Sequence, residues 1–346
     1  MHILVSQNHM HTLGGSETAT YALVSALFRA GHQVDLFTLH PGLVSGRLEA
    51  EGACRVNRLR PSYDALLLQH NTTIPILEAR GIEGPRLQIC HGTWPWEERP
   101  YPGMDKYIAI SQEVKWYLAG RGHQSQVVWN GVDCAYYAPL RAIRRRPRVI
   151  FSLAQSAEAH EMIGRAARLL GAEHRYRDKN ANPVFDFRSE MADADLVFGL
   201  GRSAYEAMAF GKAVFVFDIR IYIGNKGDGM LTPERTDLLM SCNCSGRAMG
   251  RVYTARRLAE EIDRDYHESL GEQNRAFALR YLNIDRQLAP YPEEVPDAGL
   301  PWRSPAPLPG SGLSASRFAF GAVHRGTALP GACQACPCPV LPGAGA

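Results

Sequence analysis

The sequence predicts an α/β protein of two Rossmann-like, doubly wound domains. Three observations lead there. Short apolar runs alternate with helix-patterned segments from the first residues to about residue 129, the mark of a parallel sheet wrapped by helices. The same alternation restarts at residue 149, after a run of arginines broken by a proline. Each half also sets a glycine-rich turn between an apolar run and a helix-forming run, at residues 14–16 and 199–203. With 346 residues, 45% of them hydrophobic, the chain can bury one large core or two ordinary ones.

In order, residues 3–6 read as the first strand. Ser16 is placed to cap a helix over 18–30, and Gly31 to end it. A strand at 33–38 follows, then short apolar strands at 65–68, 87–90 and 107–110. A helix is expected over 112–119 and a strand at 127–129, before the turn Asn130-Gly131-Val132-Asp133. These elements form a first domain over residues 1–140. Residues 141–148 hold five arginines and a proline, and read as a solvated hinge; a phospholipid-facing patch is the second reading.

The second domain, residues 149–285, opens with a strand at 149–153 and a helix over 158–170. A strand at 196–198, the glycine turn, a helix over 204–209 and a strand at 213–217 come next. An irregular stretch through Gly224, Gly227 and Gly229 precedes helices over 255–266 and 272–282. From Ala289 to residue 346 the chain is crowded with Pro, Gly, Ala and Ser. Such a composition cannot offset its ordering entropy, so this tail is expected to be disordered and is assigned no function.

Composition removes several classes of function. A net charge of +3 gives no bulk argument for a nucleic-acid partner. No apolar run approaches the roughly 18–20 residues that span a bilayer. The N-terminus lacks the apolar core of a signal peptide, and a cytoplasmic location is the expectation. Of the eight cysteines, Cys54, Cys90 and Cys134 stand alone and Cys242 and Cys244 straddle Asn243. Cys333, Cys336 and Cys338 cluster among prolines, with His324 as the one nearby fourth ligand. That setting is not a built zinc site, and neither metal nor cofactor is expected.

The most informative stretch runs from Gly199 to Val214. An apolar strand ends in Gly199-Leu200-Gly201-Arg202-Ser203, and a helix follows. Such a turn presents small residues and backbone N–H groups at a helix N-terminus, which is a site for phosphate. Glu206 lies one turn into the helix. An ionised carboxylate only accepts hydrogen bonds, so beside a phosphate it suits the two hydroxyls of a ribose. A surface glutamate on an ordinary βα turn is the other reading of the same pattern.

This segment resembles the donor-binding loop of retaining family-four glycosyltransferases of the GT-B fold. Their pattern has two glutamates eight positions apart, then Ala-Met-Ala, a glycine and an apolar strand. The chain matches at Glu206, Ala207, Met208, Ala209, Gly211 and Val214, and departs at the first glutamate, where Phe198 stands. The resemblance implies that Glu206 holds the nucleotide ribose; the contact that the first glutamate makes with the donor sugar has no counterpart. It extends over about residues 1–285 and makes the first domain the acceptor side and the second the nucleotide-sugar side.

Other motifs join the same picture. Gly14-Gly15-Ser16-Glu17 follows the first strand, where two glycines admit a ligand close to the backbone; the family has a similar pair near the donor diphosphate. His70 and His91 each end an apolar strand, and the carboxyl ends of strands line the crevice of an open α/β sheet. A histidine there can bond a sugar hydroxyl or a diphosphate, or can be a capping or core residue. The family has a histidine before a small residue at the position of His91, which implies contact with the transferring sugar or phosphate and makes His91 the candidate catalytic residue. Residues 227–234 hold Gly227 and Gly229, whose backbone either approaches a diphosphate or belongs to a surface loop. Ser111 and the turn at 130–133 read as structural landmarks. The family's basic pair for the departing diphosphate is missing from residues 153–160, leaving Arg202 or Lys226 to replace it. Asp193-Ala194-Asp195 reads as a turn before a strand, although it has the form of a metal-binding Asp-x-Asp.

The expectation is thus a hexosyltransferase that moves a sugar from a nucleotide-sugar donor to an acceptor hydroxyl with retention, in polysaccharide biosynthesis. Gly14, Gly15, Gly201, Arg202, Ser203 and Glu206 bind the donor, with His70, Gly227 and Gly229 as further candidates. The partners are a nucleotide sugar and a glycan or lipid-linked acceptor, with peripheral membrane contact through the arginine run. Two alternatives stay open: a sugar-nucleotide 2-epimerase of the same fold, and a catalytically degenerate nucleotide- or glycan-binding module.

Overall fold

The computed structural model describes residues 1–56, 58–177, 185–221 and 223–288. The proline- and glycine-rich tail, with Cys333, Cys336, Cys338 and His324, lies outside the described residues. The strands are β1 His2–His9, β2 Gln33–His40, β3 Cys54–Arg55, β4 Ala65–Leu68, β5 Arg86–Cys90, β6 Lys106–Ala109, β7 Ser125–Val127, β8 Val149–Ser152, β9 Glu173–Tyr176, β10 Leu196–Phe198, β11 Ala213–Phe217, β12 Lys226–Met230 and β13 Arg251–Val252. The helices are α1 Gly15–Arg29, α2 Leu43–Ala50, α3 Ile74–Ala79, α4 Gln112–Ala119, α5 Ala157–Leu169, α6 Arg188–Ala192, α7 Arg202–Ala209, α8 Pro233–Ser241, α9 Ala255–Asp265, α10 Ser269–Phe277 and α11 Ile284–Leu288.

β1 to β7 form one sheet in the order β3-β2-β1-β4-β5-β6-β7, every pair parallel. β8 to β13 form a second in the order β13-β12-β11-β10-β8-β9, parallel except for the antiparallel edge of β12 and β13. Strands buried on both faces need apolar side chains in succession rather than in alternation. β11, Ala-Val-Phe-Val-Phe, is buried at all five positions. The order in which strands are added reverses between β1 and β4 in the first sheet and between β8 and β10 in the second, while the strands stay parallel. Crevices open at such switch points, at the carboxyl ends of the strands.

The domains exchange one element. After α10 the chain returns to the first domain. Val132 N–H donates to the Leu282 carbonyl at 2.7 Å, and Ile284 N–H to the Val132 carbonyl at 3.0 Å. Ile284 and Leu288 then complete the first domain's core, and Asp285 pairs with Arg29 at 2.7 Å. The crossover turn at residues 130–133 is the partner of that return. The division expected at residue 285 therefore differs from the packing, since α11 belongs to the first core.

The arginine run is built into the fold at one end. Asp195, fully buried, accepts from Arg141 Nη1 at 2.9 Å and Arg144 Nη1 at 3.0 Å. Backbone N–H groups of Arg144, Arg148 and Val149 add to it. The Asp-x-Asp sequence thus anchors the hinge. Among the described residues, no helix is long and apolar enough to cross a membrane.

Candidate active site

The first domain supplies one wall. β1 leads to Gly14, which is the N-cap of α1 with no side-chain cap; Ser16, expected to be the cap, lies inside the helix. Glu17 explains the glycine. Its carboxyl group folds back over the turn, and a Cβ at Gly14 would stand 2.8 Å from Glu17 Cδ. Glu17 is buried at the positive end of the helix, accepts from Ser16 Oγ at 2.9 Å and lies 3.1 Å from His9 Nε2. Gly15 faces open space.

β5 delivers His91 to the same wall. Its Nε2 meets the amide oxygen of Gln69, so Nε2 carries the proton and Nδ1 is a bare acceptor, buried without a partner in the protein. Burial lowers the His91 pKa, so the ring is neutral near pH 7. The backbone N–H of His91 donates to Glu98 Oε2 at 2.6 Å. His70 does not line the cleft. It is buried beyond Glu98, its Nε2 3.4 Å from Glu98 Oε1 and its ring 5.1 Å from that of His9.

The second domain supplies the facing wall. β10 ends at Phe198, and the chain turns at Gly201 with φ +54° and ψ −121°, a conformation that favours glycine. Gly201 N–H donates to the Cys244 carbonyl at 2.9 Å. That ties the turn to the loop after α8, where Asn243 and Cys244 also have positive φ. Asn243 Oδ1 accepts from Tyr205 Oη at 2.9 Å. α7 then carries Arg202, Ser203 and Glu206 along the cleft.

These walls enclose a cavity of about 350 Å³. Its lining includes Gly14, Gly15, His91, Gly201, Arg202, Ser203 and Glu206, which the structure brings together from both domains. Three guanidinium groups line it: Arg202, Arg220 and Arg247. Arg202 pairs with Glu206 at 2.9 Å, Arg220 with Asp218, and Arg247 with Glu113 across the cleft at 2.6 Å. Of the two replacements expected for the missing basic pair, Arg202 is present in the cleft. Lys226 is exposed at the start of β12 and is not part of the lining. Arg220 was findable, since it follows the end of an apolar strand. Glu98 and Arg247 sit on loops with no local signal.

Gly227 and Gly229 do not reach the cleft. The stretch expected to be irregular is strand β12, where Gly227 faces Phe217 and Arg251 and Gly229 faces Val216. A Cβ at Gly227 would stand 2.7 Å from the Val216 carbonyl oxygen. Gly229, at φ +85°, has Glu261 and Tyr253 packed on the face a side chain would need. Their glycines serve sheet packing. Phe198, at the position of the family's first glutamate, is fully buried and stacks on Phe215 with centroids 4.7 Å apart. Among the described residues, no cluster of three His, Cys, Asp or Glu side chains is arranged to hold a metal, and Cys90, Cys134, Cys242 and Cys244 are free thiols.

Comparison with known proteins adds the fold. No family model matches the chain, and no curated protein matches it in sequence. Solved structures match its shape. A glycosyltransferase from Rickettsia africae superposes with a TM-score of 0.54 at 14% identity, over 82% of this chain and 94% of that one. The Anabaena protein HepE, solved with UDP and glucose, gives 0.54 at 16% identity, over 83% and 98%. Sucrose-phosphate synthase from Thermosynechococcus elongatus gives 0.53 at 12%, over 84% and 97%. The architecture is the GT-B fold.

Proposed function

We propose that the chain moves a sugar from a nucleotide-sugar donor to an acceptor hydroxyl, with retention of configuration. One observation carries the reading: Glu206 and the turn 201–203 of one domain face Gly14, Gly15 and His91 of the other across a single cavity. Glu206 accepts the ribose hydroxyls. The guanidinium groups of Arg202, Arg220 and Arg247 offset the charge that develops on the departing diphosphate. His91, neutral with its bare Nδ1, accepts a hydrogen bond from the transferring sugar. No side chain on the walls is assigned as a nucleophile.

The buried Phe198 favours a second reading, a nucleotide-binding module without turnover, because the donor sugar lacks the carboxylate that the resemblance predicts for it. The Anabaena protein of this fold was solved with UDP and glucose, which makes UDP and UDP-glucose the first ligands to test. Incubation with a panel of nucleotide sugars and glycan acceptors, with product analysis, separates the readings. Glycosylated acceptor supports transfer, and an altered nucleotide sugar without acceptor identifies an epimerase. Binding of the nucleotide with neither product supports the module.

A further inference from the structure

The loop between β5 and β6 carries a feature that nucleotide binding leaves unused. It reads Gly92-Thr93-Trp94-Pro95-Trp96-Glu97-Glu98-Arg99. Trp94 is 63% exposed and Trp96 56%, while Glu98 is 5% exposed. The loop is pinned from below. Asn71 Nδ2 donates to the Trp96 carbonyl at 2.8 Å, and Gln88 Nε2 to the Arg99 carbonyl at 3.0 Å. Gln88 Oε1 accepts from Tyr101 N–H at 2.7 Å. The indoles are therefore held outward on an ordered backbone, and they forgo the burial that large apolar side chains otherwise gain.

Thr93, Trp94, Pro95 and Glu98 all line the cleft, beside His91. One wall thus offers an aromatic face and a carboxylate fixed by the His91 N–H at 2.6 Å. We propose that this wall is the acceptor subsite and that the acceptor is a neutral, pyranose-containing glycan. A pyranose ring presents a face of C–H groups, polarised positive, which complements the negative face of an indole. Its hydroxyls donate to Glu98, whose two oxygens have about four acceptor positions, more than His91 and His70 occupy. A carboxylate has nothing to donate, so it selects hydroxyls over phosphates and carboxylates. Glu97 beside Trp96 also disfavours an anionic bilayer as the partner of these indoles.

The name "acceptor" rests on the sugar-transfer reading; the glycan subsite does not. An array of neutral gluco-, manno- and chito-oligosaccharides is probed with the full chain, with and without UDP, and UDP affinity is measured separately by calorimetry. The expected result is binding to a subset of glycans that falls roughly tenfold in Trp94→Ala and in Glu98→Gln. UDP affinity and melting temperature stay unchanged in Trp94→Ala. Intact UDP binding with no glycan binding overturns the subsite. Glycan binding without UDP binding upholds the subsite and overturns the transfer reading. Sedimentation with vesicles of equal parts phosphatidylcholine and phosphatidylglycerol, lost in Trp94→Ala and without glycan binding, overturns the proposal in favour of a membrane surface.

Discussion

Arg202 and Glu206 form an ion pair, 2.9 Å between Nε and Oε1, one helical turn apart on the wall of the cleft. The Nε–H is not aligned for a hydrogen bond, so the contact is chiefly coulombic. Arg202 is tied more firmly elsewhere, since its Nη1 donates to the Gly131 carbonyl at 2.9 Å. That carbonyl belongs to the crossover turn of the first domain. Both side chains are nearly buried, at 8% and 10% exposure, where an ion pair is little screened. The arginine therefore holds the carboxylate of Glu206 in place without using up its acceptor capacity.

Glu206→Gln is expected to weaken nucleoside-diphosphate binding by roughly one to two orders of magnitude, because charge-assisted hydrogen bonds contribute about 1.5–3 kcal/mol each. The 2′-deoxy nucleotide should bind the native protein more weakly than the ribonucleotide, and the variant almost equally. Calorimetry on the four combinations measures this. Equal losses in both proteins would place the ribose elsewhere.

Gly229→Ala tests the structural role of a glycine that sequence alone associates with the diphosphate. At φ +85° an added Cβ meets the Glu261 carboxylate and stands 2.7 Å from Tyr253 Oη. Backbone strain and overpacking together should cost about 2–4 kcal/mol. Urea unfolding should show that loss, with the UDP affinity of the folded fraction unchanged. A stable variant with weakened UDP binding would return Gly229 to the ligand.

What was legible in the sequence follows from how local the causes are. The strand, glycine turn and helix around Glu206 lie within one short stretch, so their pattern is complete on its own. The same holds for His91 at the end of an apolar strand. β12, Lys-Gly-Asp-Gly-Met, is not legible, because glycines are poor strand formers and only pairing with β11 makes it one. β9, Glu-His-Arg-Tyr, is a charged edge strand without an apolar run. Arg247 and Glu98 enter the cleft from loops far apart in the chain, and α11 joins the first core from the far end of the fold. Each of these depends on tertiary packing that no window of residues contains.

His91 is expected to serve both the cleft and the fold. His91→Ala would leave the amide of Gln69, 1% exposed, without its partner, which costs about 1–3 kcal/mol. His91→Asn keeps a donor and should recover most of that stability. Turnover should fall about tenfold or more in both, as expected for a lost hydrogen bond in the transition state. If the asparagine variant is fully active, the histidine is structural.

The pH dependence of stability should show a step from a cluster outside the cleft. Ser152 Oγ bonds His160 Nδ1 at 2.7 Å and His174 Nε2 at 2.8 Å. Burial, with lesser effects from His160 and Arg168, lowers the His174 pKa from 6.5 to about 4. The unfolded chain therefore takes up a proton before the folded one does. Stability from this group is complete above pH 6.5 and is lost as pH falls from there, with the loss complete below about 4. Urea unfolding of His174→Gln at neutral pH and at about pH 4 should show a smaller difference than the native chain. An equal difference would assign the acid loss to other groups.

Glu113 and Arg247 pair across the cleft, with Nη2 2.6 Å and Nε 2.8 Å from the two carboxylate oxygens. Glu113 stands on α4 of the first domain and Arg247 on the loop after α8 of the second. The pair is partly buried and bidentate, the geometry in which an ion pair contributes most. Arg247 also lines the cavity, so a diphosphate bound there would compete with Glu113 for the same guanidinium. Arg247→Ala should weaken UDP binding by about tenfold, the loss of one charge-assisted contact. Glu113→Gln removes the competitor and should leave UDP affinity equal or higher. Its domains should also separate more readily, which small-angle scattering of the free protein would register as a larger radius of gyration. If Glu113→Gln loses as much affinity as Arg247→Ala, the pair acts by holding the two walls in register, and Arg247 does not reach the phosphate.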